Sequence, residues 1–127
     1  MPFVRCPSPA DALAALDRVV EGQSDALFLF FGSEDPATGA SWCPDCVTAD
    51  PVLRATLAKA APELTVYECP VGERSAWKGQ MEHPYRVHPA FRIARIPTLI
   101  RFRAGLDIGR LVEALCSDRA AVLAFVG

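Results

Sequence analysis

No stretch of this sequence is apolar enough to cross a bilayer. The apolar run Ala26 to Phe31 has six residues where ~20 are needed for a helix. The amino terminus, Met1-Pro2-Phe3-Val4-Arg5, lacks the basic stretch and apolar core of a secretory leader, so a cytoplasmic location is expected. Charge of one sign is also missing. Thirteen bases stand against fifteen acids, interspersed, for a net charge of −2. That balance offers no footprint for nucleic acid and no basic run for a membrane surface. Neither an internal repeat nor a linker-like tract interrupts the 127 residues, which read as a single domain, 1–127, able to bury a core without disulfide staples. The five cysteines cannot all pair within one chain. In a reducing compartment they are expected as thiols, metal ligands or catalysts rather than bridges.

What is present is an alternation of strand and helix signals. Phe3 to Arg5 suits a short strand. Ser8 can cap a helix with Pro9 in its first turn and Asp11 at its positive end; Leu13, Leu16, Val19 and Val20 then form an apolar face, and Gly22 stops it. The continuous run Ala26-Leu27-Phe28-Leu29-Phe30-Phe31 fits a strand covered on both faces. A polar loop, Gly32 to Ser41, leads to a helix from Cys43 to about Ala61. Leu53, Leu57 and Ala60 are at helical spacing there, and Pro51 should kink it. Leu64 to Cys69 reads as a second buried strand. Gly72 to Phe91 is irregular, with short helices expected near Trp77 and from Pro89 to Ile93. Thr98 to Phe102 is a strand, Gly105 a turn, and Gly109 to Glu113 its hairpin partner. Ser117 or Asp118 caps a last helix with Val122, Phe125 and Val126 inward. This order predicts an α/β layered domain.

The chemistry concentrates in Ser41-Trp42-Cys43-Pro44-Asp45-Cys46. Two cysteines three apart at a helix start serve either redox cycling or metal binding, and spacing alone does not choose. At the helix start, the Cys43 sulfur lies near unpaired amides and the positive end of the helix dipole, which favour thiolate. A free thiol has a pKa of ~8.5, whereas CxxC motifs reach ~3.5–7.5. Cys43 is then the exposed attacking sulfur, and Cys46, one turn further in and screened, resolves the mixed disulfide. Pro44 stiffens the first turn and removes a competing amide. Asp45 is either a proton acceptor for Cys46 or a solvated acid that suits the helix dipole. Trp42 shields the dithiol and contributes to a docking surface.

Trp42-Cys43-Pro44-Asp45-Cys46, followed by Pro51 and by Ile96-Pro97-Thr98 at the opening of a late strand, resembles the thioredoxin superfamily. Within it the sequence is similar to the thioredoxin domain-containing protein 17 family. Phe31-Gly32-Ser33 with a long loop before the motif, Cys69-Pro70-Val71-Gly72-Glu73-Arg74 followed by Trp77-Lys78, and Leu111-Val112-Glu113 agree with it. The resemblance implies a thioredoxin-like fold, a central mixed β-sheet with helices on both faces. It implies a cytosolic reductase of small-molecule or protein disulfides, with no bound cofactor, recharged from NADPH through a thioredoxin reductase-like flavoenzyme. It also implies a cis Ile96–Pro97 bond against the dithiol, which frees the Ile96 backbone to pair with substrate, so that Ile96, Pro97 and Thr98 join Trp42 and Pro44 as substrate-binding residues. Two features depart from the family pattern. Leu27 to Phe31 carries no acid where thioredoxins bury an aspartate, leaving Asp45 or water to take the proton of Cys46. The segment Gly79 to Ala90, with His83 and His88, is individual to this chain.

The remaining cysteines read as bystanders: Cys69 and Cys116 as core thiols, Cys6 as a surface or half-buried residue. His83 and His88 read as ordinary loop residues, and Trp77 packs a loop onto the core. The rival readings are a zinc module, which lacks a second ligand pair at suitable spacing, a thioredoxin-fold scaffold without turnover, and an oxidase or isomerase using the same residues. Nothing in the sequence demands an oligomer, and a monomer is expected.

Overall fold

A computed structural model describes residues 2–127. Its elements are β1 (Phe3–Arg5), α1 (Pro9–Glu21), β2 (Ala26–Phe31), α2 (Pro44–Ala60), β3 (Thr65–Pro70), α3 (Arg74–Trp77), α4 (Pro84–Val87), β4 (Thr98–Arg103), β5 (Leu106–Val112), a 3₁₀ turn (Glu113–Ser117) and α5 (Arg119–Val126). The five strands form one mixed sheet in the order β1-β3-β2-β4-β5. β1 and β2 both run parallel to β3, β4 runs antiparallel to β2, and β5 antiparallel to β4. The expected α/β architecture is therefore present.

β2 is buried at all six positions, as its unbroken apolar run requires. Alternation sends its side chains to opposite faces. Phe30 packs on Tyr85 and Phe91 at ring distances of 4.9 Å each, on the side where Pro9 and Leu13 of α1 meet α4. Leu29 and Phe31 instead meet Cys46, Ala49 and Leu53 of α2, which in turn packs against α5.

α1 opens on a reciprocal cap: Ser8 Oγ accepts from the Asp11 amide at 3.3 Å, and the Asp11 carboxylate accepts from the Ser8 amide at 3.2 Å. Its buried stripe is Ala12, Ala15, Leu16 and Val19, while Val20, expected on that face, is 48 % exposed. At 100° per residue Val20 falls off the stripe that Val19 ends. α2 runs through Pro51, and its buried face is Cys46, Ala49, Leu53, Thr56 and Leu57; Ala60, expected inward, is exposed.

The irregular region follows a different plan from the one expected. Its second helix is Pro84–Val87, not a helix from Pro89 to Ile93. Pro84 pre-sets the first turn and His83 Nδ1 accepts from the Tyr85 amide at 3.0 Å, whereas Arg92 takes a φ of 47°, which interrupts a helix there. The β4–β5 hairpin turns through Ala104 and Gly105, both at positive φ, and so starts β5 at Leu106 rather than Gly109. Cys6, expected at the surface or half-buried, is only 3 % exposed beneath the sheet edge.

Candidate active site

Cys43 is the N-cap of α2, so its side chain faces amides that the helix leaves unpaired. Its Sγ accepts from the Cys46 amide at 3.4 Å and lies 4.0 Å from the Ile96 carbonyl oxygen. The Ile96–Pro97 bond is cis. A short polar frame holds the motif in place. Ser41 Oγ accepts from the Cys43 amide at 3.1 Å and donates to the Gly32 carbonyl at 2.6 Å. The Trp42 indole N–H donates to the Gly72 carbonyl at 2.8 Å, binding the motif to the β3–α3 turn. Gly32 is needed where it stands, because a Cβ there would meet the Trp42 ring at 2.7 Å.

Both sulfurs are sheltered. Cys43 is 6 % and Cys46 4 % exposed, which corrects the expectation that Cys43 would be exposed and only Cys46 screened. Hydrogen bonding, rather than exposure, separates them. The Cys46 S–H is directed at Cys43 and, helped by the Cys46 amide, holds the Cys43 thiol down at about 7, against the opposing effects of burial and of the Asp45 charge. The same bond, together with burial, pushes the Cys46 thiol well up; the Gly32 backbone and the Ser41 hydroxyl offset part of that rise. Cys43 is thus the more acidic of the two thiols.

The two cysteines border different spaces. Cys43 lines an outer cleft of about 290 Å³ with Trp42, Pro44, Asp45, Trp77, Arg86 and Ile96. Gly79 and Arg86 also line it, so the Gly79 to Ala90 segment reaches the site. Cys46 instead lines an inner cavity of about 280 Å³ between β2 and α2, where Glu34, Asp50 and Arg54 meet Ser41 and Pro97. Pro44 and Asp45 are exposed and Trp42 is half-buried. Thr98 is 1 % exposed, and its hydroxyl donates to the Arg95 carbonyl at 2.6 Å, so its side chain braces the turn before β4. The Pro97 carbonyl accepts from the Glu113 amide at 2.7 Å, and Arg95 pairs with Glu113 at 3.0 Å.

Sequence reasoning passed over Ser41, Gly32 and the carboxylates of the inner cavity. Ser41 adjoins the motif and was visible as a polar residue there. Glu34 and Asp50 reach the cavity only through folding, and no local signal marks them. Among the described residues, no group of three or more His, Cys, Asp and Glu side chains comes together to hold a metal ion. No helix among them is long and apolar enough to cross a membrane.

Comparison with known proteins agrees with this geometry. The chain is 41 % identical over 87 residues to the thioredoxin-like protein Clot of Arabidopsis thaliana, covering 68 % of this chain and 64 % of that one. It is 44 % identical over 103 residues to an acireductone dioxygenase of Leishmania braziliensis, covering 76 % of this chain but 30 % of that one. With thioredoxin domain-containing protein 17 of Mus musculus the identity is 31 % over 104 residues, 82 % of this chain and 80 % of the relative. The chain thus spans less than two thirds of the first two of these relatives. Among solved structures, oxidized thioredoxin O2 of Arabidopsis thaliana superposes with a TM-score of 0.68 at 21 % identity, over 97 % of this chain and 92 % of that one, which shows the fold. Residues 10–126 match the thioredoxin domain of the thioredoxin domain-containing protein 17-like family, and the chain belongs to that family.

Proposed function

We propose that this protein reduces small-molecule or protein disulfides through Cys43 and Cys46. The observation that carries the reading is the seat of Cys43 at the start of α2: its Sγ accepts from the Cys46 amide at 3.4 Å, lies 4.0 Å from the Ile96 carbonyl before the cis proline, and its thiol is held down at about 7. In the proposed cycle the Cys43 thiolate attacks one sulfur of a substrate disulfide. A bond forms between Cys43 and that sulfur, the substrate S–S bond breaks, and one thiolate leaves. Cys46 then gives up its proton and attacks the Cys43 sulfur, expelling the second thiolate. Two electrons pass to the substrate and a Cys43–Cys46 disulfide remains. Trp42, Pro44 and Ile96 wall the cleft in which substrate would lie, Pro97 borders the inner cavity, and Thr98 supports them through Arg95.

Three carboxylates are candidates to take the Cys46 proton: Asp45, one residue before it, and Glu34 and Asp50, which border the inner cavity with it. We propose NADPH, through a thioredoxin reductase-like flavoenzyme, as the source of electrons for recharging, with the chain acting as a monomer that carries no resident cofactor in a cytoplasmic setting. The deciding measurement is the pH dependence of iodoacetamide alkylation at Cys43 in the reduced protein. A midpoint near 7 is expected. A midpoint at the ~8.5 of an ordinary thiol would sink the reading in favour of a scaffold without turnover.

A further inference from the structure

Three of the five cysteines take no part in this chemistry, and the sheet brings two of them together. β1 runs parallel to β3 with Arg5 opposite Glu68. One residue on, the Cys6 amide donates to the Glu68 carbonyl at 2.8 Å. That bond completes the Arg5–Glu68 step, the last of the ladder, and so sets the next residue of each strand, Cys6 and Cys69, opposite one another. Pro70, with no amide to offer, ends the pairing there. Adjacent strands lie about 4.8 Å apart, which is within the roughly 4.4–6.8 Å that the Cα atoms of a disulfide span. Residues opposite one another in a sheet project to the same face. Cys69 stands opposite Phe30, whose ring packs on Tyr85 and Phe91, so both thiols enter the α1/α4 half of the core. Cys46 lies on the other side of the sheet.

We propose that Cys6 and Cys69 are a second redox pair, which hydroperoxides oxidise to a cross-strand disulfide tying β1 to β3. The inference is independent of the activity assigned to Cys43 and Cys46. Cys6 is the sulfur oxidised first, because its neighbour Cys69 lowers its thiol, while burial raises Cys69, whose S–H donates to the Tyr67 carbonyl at 3.7 Å. The Tyr85 hydroxyl, buried without a hydrogen-bond partner among the described residues, holds its proton more tightly chiefly through that burial, with the nearness of both cysteines adding to it. At 3 % exposure Cys6 admits only a small oxidant, and then through opening of a three-residue edge strand. The Cys6 thiolate takes the terminal oxygen of the hydroperoxide, breaking its O–O bond and leaving a sulfenic acid and an alcohol, or water when the oxidant is hydrogen peroxide. The Cys69 sulfur then attacks Cys6. The S–S bond forms, the S–O bond breaks, and the hydroxyl departs with the Cys69 proton as water. Two thiols and one hydroperoxide become one disulfide, one alcohol and one water.

The test uses the full chain with Cys43→Ser and Cys46→Ser, in which Cys6, Cys69 and Cys116 are the thiols left. Hydrogen peroxide treatment, alkylation and peptide mapping should show two thiols lost per chain and a linked Cys6–Cys69 peptide. The thermal midpoint should rise by on the order of 10 °C and fall back with dithiothreitol. Adding Cys6→Ala should abolish both changes; if that variant does not fold, the linked peptide in the unsubstituted pair decides alone. Retention of all three thiols at a peroxide dose that oxidises the Cys43–Cys46 pair of the parent protein would overturn the proposal. So would Cys6 recovered as sulfinic acid without a link, or a link to Cys116.

Discussion

At the scale of single residues, the site divides labour between two sulfurs of similar exposure. Cys43→Ser removes the only sulfur that receives both the Cys46 amide and its S–H, and disulfide reduction should fall to background in a coupled NADPH assay. Full turnover by that variant would contradict the assignment. Cys46→Ser should retain the first step and stop there, leaving a mixed disulfide that mass spectrometry of the unreduced protein detects. It should also raise the Cys43 midpoint, because the S–H that stabilises the thiolate is gone. Asp45 pulls in two directions. Its charge opposes the Cys43 thiolate, so Asp45→Asn should move the alkylation midpoint of Cys43 downward. If Asp45 also accepts the Cys46 proton, resolution of a preformed mixed disulfide should slow by about 10²-fold in the same variant. An unchanged resolution rate would pass that role to the carboxylates of the inner cavity.

At the scale of elements, the motif depends on a contact between loops. Gly32, at the end of β2, lies under the Trp42 ring, and Trp42 in turn hangs from the Gly72 carbonyl. Gly32→Ala would place a methyl 2.7 Å from that ring. The expected cost is about 1–3 kcal/mol by urea unfolding, with a shift in tryptophan fluorescence and a larger fall in activity than in helix content. Equal stability and activity would show that the ring yields freely. The same scale explains what could be read in advance. β2 and the start of α2 were legible because an unbroken apolar run and a capping cysteine before proline are local signals. The burial of Cys6 was not, since it follows from pairing with β3 some sixty residues away. The same holds for Glu68, a strand carboxylate only 6 % exposed that Arg5 and Arg54 hold from two other elements. The second short helix was misplaced because proline and histidine recur at 83–84 and 88–89; both histidines accept from the amide two residues on, and the positive φ of Arg92 is what stops a helix after the second.

For the molecule as a whole, the thiols make stability a function of pH in two opposite senses. Cys43 has a folded-state pKa of about 7, below that of an unfolded thiol. Between those values the unfolded chain binds more protons than the native one, so this residue's contribution is lost as pH falls through 7 and is complete above about 9. Cys46, Cys69 and Cys116 are shifted the other way; Cys116, fully buried, is pushed up to about 12 by burial. Above about 9 the unfolded chain releases protons that the native protein keeps, and each such thiol removes up to about 1.4 kcal/mol of stability per pH unit. Urea unfolding of the reduced protein should therefore show stability rising gently from pH 7 toward 9 and falling steeply beyond it. Cys116 offers the cleanest check, because its Sγ faces the Pro97 and Leu111 carbonyls and lies outside the dithiol. Cys116→Ala should lower stability at neutral pH through the lost packing while flattening the alkaline limb by about one proton's slope. A limb of unchanged slope would mean that Cys116 ionises in the folded protein as readily as in the unfolded chain, and that the β5–α5 junction is open to water.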